Sequence, residues 1–310
     1  MKRIPGVFAV AAVTVLALVG CGSGNASSAE PAKLKVVATT PEVADFVRNV
    51  GGDRIDVTQI IKPNVDPHEY EPTPADIKAI GEAKIVVKNG VGLEEWLDRT
   101  IEAAGFQGAV VDSSQGVKLR EGGHAHEEEE AEAGHEEEHD PHIWHDPRNA
   151  KLMVANIEKG LTAAAPADAA TFSANLTAYS AKLDRLDADN AAAFAKLTNR
   201  KLVTNHDAFG YYMDRYGLEF VGSVIPSLDT SAELSAQQLT DLVGKIKATG
   251  AKAIFAESSL PAKSAETIAR QAGVKVVAGE DALYGDSLGP DGTYLAAEEH
   301  NTRVIVEALS

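Results

Sequence analysis

The chain has 310 residues, 44% of them hydrophobic, one cysteine and a formal net charge of −17 at pH 7. That length suits two domains, each large enough to bury its own core. The acidic balance argues against a nucleic-acid partner, which needs a basic face, and the lone cysteine excludes an internal disulfide or a cysteine-rich metal cluster.

In chain order, the first expected feature is a secretory signal over residues 1–20. Lys2 and Arg3 precede an apolar run, Val7 to Val19, too short to span a bilayer as a mature helix, which needs about 20 residues. Leu18-Val19-Gly20-Cys21 resembles a bacterial lipobox, which implies that the Cys21 thiol carries lipid and anchors the protein to the cell membrane from outside the cytoplasm. Residues 21–32 then read as a flexible lipidated tether rich in Gly, Ser and Ala.

Residues 33–165 read as an N-terminal α/β domain. Strands are expected at Leu34–Thr40, Ile55–Ile61, Lys84–Lys88 and Ala109–Asp112, and helices at Glu42–Val50, Pro74–Ala83 and Leu93–Ala104. Thr73-Pro74-Ala75-Asp76 is a strong helix start, with Thr as the cap and Pro in the first position. Residues 121–140 hold nine Glu, one Asp and four His without an aromatic or β-branched residue. That composition buries too little apolar surface to order itself and reads as a disordered His/Glu-rich loop.

Residues 166–198 read as a linker helix. Ala167 to Leu197 lacks Gly and Pro, and Phe172, Leu176, Tyr179, Leu183, Leu186 and Phe194 approximate a helical stripe. Such a helix is about 45 Å long and stiff, unlike a Gly/Ser hinge. Residues 199–310 repeat the first architecture. Expected strands are Lys201–Thr204, Phe220–Ile225, Ala251–Ala256 and Val274–Ala278, and expected helices are Ala208–Tyr216, Ala232–Thr249, Lys263–Ala272 and Thr293–Leu309. Gly217, Gly250 and Gly273 sit where helices should stop in a left-handed residue. Strand–helix alternation implies parallel sheets covered on both faces. The expected fold class is therefore α/β, two βα domains joined by one long rigid helix.

The chemistry lies in the histidines. Besides His124, His126, His135 and His139 of the acidic loop there are His68, His142, His145, His206 and His300. His68, His142, His145 and His206 fall after expected strands, at the edge where open parallel sheets form their ligand crevice. Prolines bracket His68 in Asp66-Pro67-His68-Glu69-Tyr70-Glu71-Pro72, and His142 in Asp140-Pro141-His142-Ile143-Trp144-His145-Asp146-Pro147. Asn205-His206-Asp207 occupies a strand-to-helix turn. Neutral imidazoles suit Zn(II), and Mn(II) when carboxylates join them. Because ligating imidazoles must be neutral, affinity is expected to fall below about pH 6. Asp286, in a glycine-flanked loop, is the preferred carboxylate. Asp281 and Glu257 are the alternatives, Glu257 also as an acceptor behind a ligand. His145 is given a local role and His300 a helix-packing one.

Asp66-Pro67-His68-x-Tyr70-Glu71-Pro72, Asp140-Pro141-His142-x-Trp144-x-Asp146-Pro147, His206-Asp207-Ala208-Phe209-Gly210-Tyr211 and Asp286-Ser287-Leu288 occur in an order that resembles the zinc/manganese solute-binding lipoproteins of ABC importers, the ZnuA/TroA-like family. The resemblance spans about residues 34–310. It implies that two domains clamp one divalent metal in the interdomain cleft, with His68 and His142 from the first and His206 and Asp286 from the second. It also implies a membrane permease and a cytoplasmic ATPase as partners. A third histidine and an acidic His-rich loop mark the zinc type, so Zn(II) is the expected cargo and Mn(II) the alternative. A secreted zinc metalloenzyme and a surface adhesin are the rival classes. No general base is evident beside a cleft, which argues against an enzyme.

Overall fold

Each half of the chain is built on a four-stranded parallel sheet, and both sheets have the same order. In the computed structural model, which describes residues 2, 32–121, 139–232, 234–290 and 292–310, β1 (Leu34–Ala38), β2 (Ile55–Gln59), β3 (Ile85–Lys88) and β4 (Ala109–Asp112) are arranged β2-β1-β3-β4. The second sheet places β5 (Lys201–Thr204), β6 (Glu219–Ser223), β7 (Ala253–Phe255) and β8 (Lys275–Val277) in the order β6-β5-β7-β8. All pairings are parallel, with Val36 opposite both Val57 and Ile85, and Thr204 opposite Phe255. Val36, Val37 and Ala38 are all buried, because a central strand covered by helices on both faces has no solvent side. The chain reverses direction across each sheet at β1 and at β5. The loops beyond those strands' carboxyl ends are therefore where an open α/β sheet leaves a crevice.

The helices around the first sheet are α1 (Pro41–Gly51), α2 (Pro74–Glu82), α3 (Leu97–Ala103) and α4 (Pro147–Ala164). Thr40 caps α1 and Pro41 opens it. At α2, Thr73 and Asp76 form the reciprocal box foreseen from the sequence. Helix α3 starts four residues later than expected. Gly90, Val91 and Gly92 all take positive φ, and the Glu94 carboxylate accepts the Asn89 and Gly90 N–H groups, which turns the chain before the helix begins. Helix α4 was not foreseen. Its signal was present in Asp146 as cap, Pro147 in first position and the stripe Ala150, Met153, Val154, Ile157 and Leu161, all buried. The Asp146-Pro147 pair had been read only as part of the histidine motif.

The linker helix α5 runs from Ala169 to Phe194, 26 residues, after a 3₁₀ turn at Pro166–Asp168. It is shorter than expected by a turn, at about 39 Å. Phe172, Tyr179, Leu183, Leu186 and Phe194 are its buried face and Leu176 is half-buried, which is the stripe read from the sequence. Helices α6 (Gly210–Tyr216), α7 (Ala236–Thr249), α8 (Lys263–Ala272) and α9 (Tyr294–Leu309) complete the second half. Helix α7 begins four residues late because Ser235 and Gln238 form a capping box there. Gly217, Gly250 and Gly273 end α6, α7 and α8 with φ of 66°, 72° and 78°, as expected.

Residues Lys33–Ser310 form one compact unit. Tyr294 and Ala297 of α9, with Leu288, pack into the same core cluster as Phe46, Trp144 and Phe172 of the first half. The last helix therefore ties the halves together beside α5. No helix among the described residues is long and apolar enough to cross a membrane. The expected signal peptide, Cys21, the tether and residues 122–138 of the acidic loop lie outside the described residues. At the loop's base, Glu121 and His139 form an isolated antiparallel bridge.

Candidate metal centre

Four side chains from four loops meet between the sheets. His68 lies on the loop after β2. Pro67 beside it is buried, and the His68 N–H donates to Asp66 Oδ1 at 2.9 Å. His142 follows Pro141 and opens a 3₁₀ turn. The Asp140 carboxylate accepts both the His142 N–H, at 3.0 Å, and its ring Nδ1, at 2.8 Å. His206 follows β5 and is held in the same way by Glu257 at the end of β7. The Oε1 atom accepts the His206 N–H and Nδ1, each at 2.9 Å. With a carboxylate on Nδ1 the proton sits there, and the Nε2 lone pair is left facing the cleft. Asp286 is carried by a loop that Trp144 Nε1–H holds at the Gly285 carbonyl, 3.2 Å, and that Asn301 holds at both backbone groups of Tyr284.

The donor atoms converge on one point. His142 Nε2 lies 3.2 Å from His68 Nε2 and 3.3 Å from His206 Nε2. Asp286 Oδ2 is 3.4 Å from His206 Nε2 and 3.9 Å from His68 Nε2, while Oδ1 is 3.5 Å from His142 Nε2. All four ligand atoms lie within 4.8 Å of one another. Four donors placed tetrahedrally around an ion at about 2.0–2.1 Å are separated by about 3.3–3.5 Å; the shorter spacings match that value and the longer ones exceed it. The His142, His206 and Asp286 side chains are fully buried and His68 is 8% exposed. Neither Asp286 carboxylate oxygen has a hydrogen-bond donor among the described residues. A buried carboxylate without donors is costly unless a cation faces it.

The electrostatics separate the three imidazoles. Burial pushes His68 down to about 4 and His142 well below the ordinary imidazole value. Burial also opposes charge on His206, but the Glu257 and Asp286 carboxylates outweigh it and push that group up to about 10. Burial raises Asp286 above the usual carboxylate range, with the His206 and His68 charges acting against it. The centre thus favours positive charge, and His206 is the imidazole on which a proton competes with a metal ion.

The other residues singled out from the sequence fall elsewhere. His145 is buried, stacks on Phe209 with ring centroids 4.5 Å apart, and places Nδ1 2.8 Å from Glu298 Oε1. Those partners come from the other half of the chain, so the role expected to be local to its own segment is instead a contact between the halves. Asp281 is exposed and pairs with Arg303 at 3.5 Å. Glu257 stands behind His206. His300 Nε2–H donates to the Ala282 carbonyl at 2.9 Å. The orienting role of Asp140 was not foreseen, although Asp-Pro-His occurs twice. In both copies the Asp accepts the histidine's backbone N–H, but only Asp140 reaches the ring.

Two βα halves, a shared long helix and a buried N₃O cluster at the carboxyl edges of both sheets make a candidate site for a cation between the sheets. The sequence matches, over residues 36–308, the family described as "Zinc-uptake complex component A periplasmic" (ZnuA). The chain belongs to this family of metal-binding, substrate-binding proteins of ABC importers. It is similar to the manganese ABC transporter substrate-binding lipoprotein PsaA of Streptococcus anginosus, with 31% identity over 321 residues and all of both chains covered. The iron ABC transporter substrate-binding lipoprotein MtsA of Streptococcus pyogenes serotype M1 is 31% identical over 325 residues, covering 100% of this chain and 98% of its own. Among solved structures, the periplasmic zinc binding protein TroA from Treponema pallidum superposes with a TM-score of 0.80 at 29% identity, covering 90% of this chain and all of that one.

Proposed function

We propose that this protein captures Zn(II) outside the cytoplasm and delivers it to a membrane permease driven by a cytoplasmic ATPase, with His68, His142, His206 and Asp286 as the metal ligands and lipid on Cys21 as the anchor. The observation that carries the reading is the donor set. Three imidazole nitrogens and one carboxylate lie within 4.8 Å of one another, and carboxylates fix two of the rings on their far side. Such a set suits a borderline ion, whereas a hard ion such as Mn(II) prefers more oxygen. The fourth donor also closes the site. A catalytic zinc would keep that position open for water, so a carrier fits better than a hydrolase.

The names of the relatives favour a second reading, a manganese carrier of the same family, because several similar lipoproteins are named for manganese and two for iron. Binding alone does not decide between them, since Zn(II) outcompetes Mn(II) at most nitrogen-containing sites. The deciding experiment pairs two measurements. The lipid-free protein is dialysed against equal Zn(II) and Mn(II), and its metal content and X-ray absorption spectrum are recorded. A deletion strain is grown with either metal withheld. One zinc per chain with three N and one or two O donors at about 2.0–2.2 Å, and a growth defect confined to zinc starvation, are the expected results. A defect confined to manganese starvation would overturn the zinc assignment. The anchor is tested separately: Cys21→Ser should abolish acyl labelling and release the protein from the membrane fraction.

A further inference from the structure

His68 is the ligand its own half holds least. No carboxylate among the described residues backs its Nδ1, in contrast to His142 and His206. It is also the only one of the four whose side chain is measurably exposed. The loop that carries it leaves β2 through the buried Ile60 and Ile61, runs exposed from Lys62 to Val65 and dips back at Pro67. Besides two local bonds, Val65 N–H to the Lys62 carbonyl and the Lys62 ammonium to the Gln59 carbonyl, the bonds that seat this exposed stretch come from the other half of the chain. The Asn64 N–H donates to Ser287 Oγ at 2.9 Å, and the Ser287 hydroxyl returns toward Asn64 Oδ1 at 3.4 Å. The Thr230 hydroxyl donates to Asp66 Oδ2 at 2.5 Å, and the other oxygen of that carboxylate accepts the His68 N–H. Asn64 takes φ 61°, a left-handed conformation that Asn tolerates better than most residues but that needs support from its surroundings.

A cleft of about 680 Å³ opens beside this loop. It reaches His68 but none of the other three donors. Its walls are Glu69 and Pro141 from the first half, and Leu228, Asp229 and Ser231 from the second, on either side of Thr230. Solvent therefore approaches the centre past His68, along the seam that the Thr230–Asp66 bond closes.

From this geometry we infer that Ser287 and Thr230 are positioning residues that latch the His68 loop shut across the cleft and so set how fast the bound metal leaves. The inference rests on the metal-carrier reading above. Release begins with His68, because a carboxylate holds only its backbone and its loop is seated by hydroxyl bonds across the cleft, whereas His142 and His206 are each held at ring and backbone by a carboxylate. Neither hydroxyl touches the ion. Losing one loosens the loop without removing a donor.

Stopped-flow dissociation of Co(II), a visible probe of the coordination sphere, and of Zn(II) into excess chelator tests this on Ser287→Ala, Thr230→Val and the double variant, with Ser287→Thr and Thr230→Ser as hydroxyl-retaining controls. One lost hydrogen bond corresponds to a release about three- to tenfold faster. Each single variant should show that acceleration, and the double variant more than either. The association rate and the Co(II) spectrum should stay those of the parent protein, and both controls should release at close to the parent rate. A double variant releasing at the parent rate overturns the latch, as does an altered Co(II) spectrum or controls as fast as Ser287→Ala and Thr230→Val. A parent protein that binds neither metal overturns the carrier reading itself, an outcome distinct from a parent that binds tightly and variants that release no faster.

Discussion

At the scale of single residues, identical local sequence does not produce identical chemistry. Asp66 and Asp140 both precede a histidine by two positions, and both cap its backbone N–H. Only Asp140 also accepts from the ring Nδ1–H, and its buried carboxylate is paired at its other oxygen with Arg120, at 3.1 Å. Asp66 turns its second oxygen to Thr230. The three imidazoles accordingly differ in their hold on a proton, and the fall in affinity expected below about pH 6 should begin at higher pH. His206, raised to about 10, keeps its proton across the neutral range, while His68, lowered to about 4, and His142 do not. A metal entering at neutral pH therefore displaces one proton, and apparent affinity should rise about tenfold per pH unit between about pH 6 and 9. Titration calorimetry in buffers of different ionisation enthalpy measures the proton released. For the metal-free protein the sign is opposite. A raised His206 stabilises the fold fully below about pH 6.5, and that contribution is lost as pH rises toward about 10. His206→Ala should lower Zn(II) affinity by several orders of magnitude and abolish the proton release, and His142→Ala should lower affinity while retaining it. Equal proton release in the two variants would show that the imidazoles are equivalent.

At the scale of elements, the loop after β8 depends on a residue without a side chain. A Cβ at Gly285 would collide with Glu257 Oε2, so only glycine lets that loop pass close behind His206 while Trp144 grips its carbonyl. Gly285→Ala should displace Glu257 from the His206 ring and weaken Zn(II) binding by about 10- to 100-fold, the usual effect of disturbing a ligand's supporting contact. Competition against a chromophoric chelator reads it, and unchanged affinity would show that Glu257 does not orient His206. The long helix responds differently. Leu183 is fully buried on the inward face of α5, and Leu183→Ala should cost about 2–5 kcal/mol of stability, visible in denaturant melts, with zinc stoichiometry kept. Helix α4, which the sequence reading passed over, shows that an Asp-Pro pair can serve a histidine motif and a helix cap at once. Asp146 ends the turn after His142 and caps α4 through the Arg148 N–H at 2.8 Å.

At the scale of the whole molecule, the two halves share structure beyond their linker. Helix α9 enters the first half's core through Tyr294 and Ala297. The Tyr294 N–H donates to Asp45 Oδ2 at 3.0 Å, and its hydroxyl donates to the Trp144 carbonyl at 2.6 Å. Asp45 also accepts from the Tyr179 hydroxyl of α5, at 3.2 Å. Elements from both ends of the chain and the middle thus meet on one carboxylate. Metal-free protein should therefore unfold in a single calorimetric transition, and Zn(II) should raise its midpoint in proportion to the logarithm of free metal. Two resolved transitions, with zinc shifting only one, would show that the halves fold independently.

The sequence by itself determined the strands, the helices other than α4, the parallel class and the three histidines of the candidate centre, because those rest on local signals. Periodicity, caps, glycine stops and residue type after a strand are all read within a few positions. Asp281 and Glu257 stayed open as alternatives to Asp286 for the opposite reason. Which carboxylate enters the centre depends on how the loops after β7 and β8 fold back, and no local pattern records that. Tertiary structure alone decided that Glu257 backs His206 across 51 residues, that Glu298 pairs with His145 across 153, and that Ser287 reaches Asn64 across 223. It also decided the separation of the imidazole pKa values, because desolvation and the nearness of buried carboxylates are properties of the packed interior, where charges far apart in the chain lie within a few ångströms of each other.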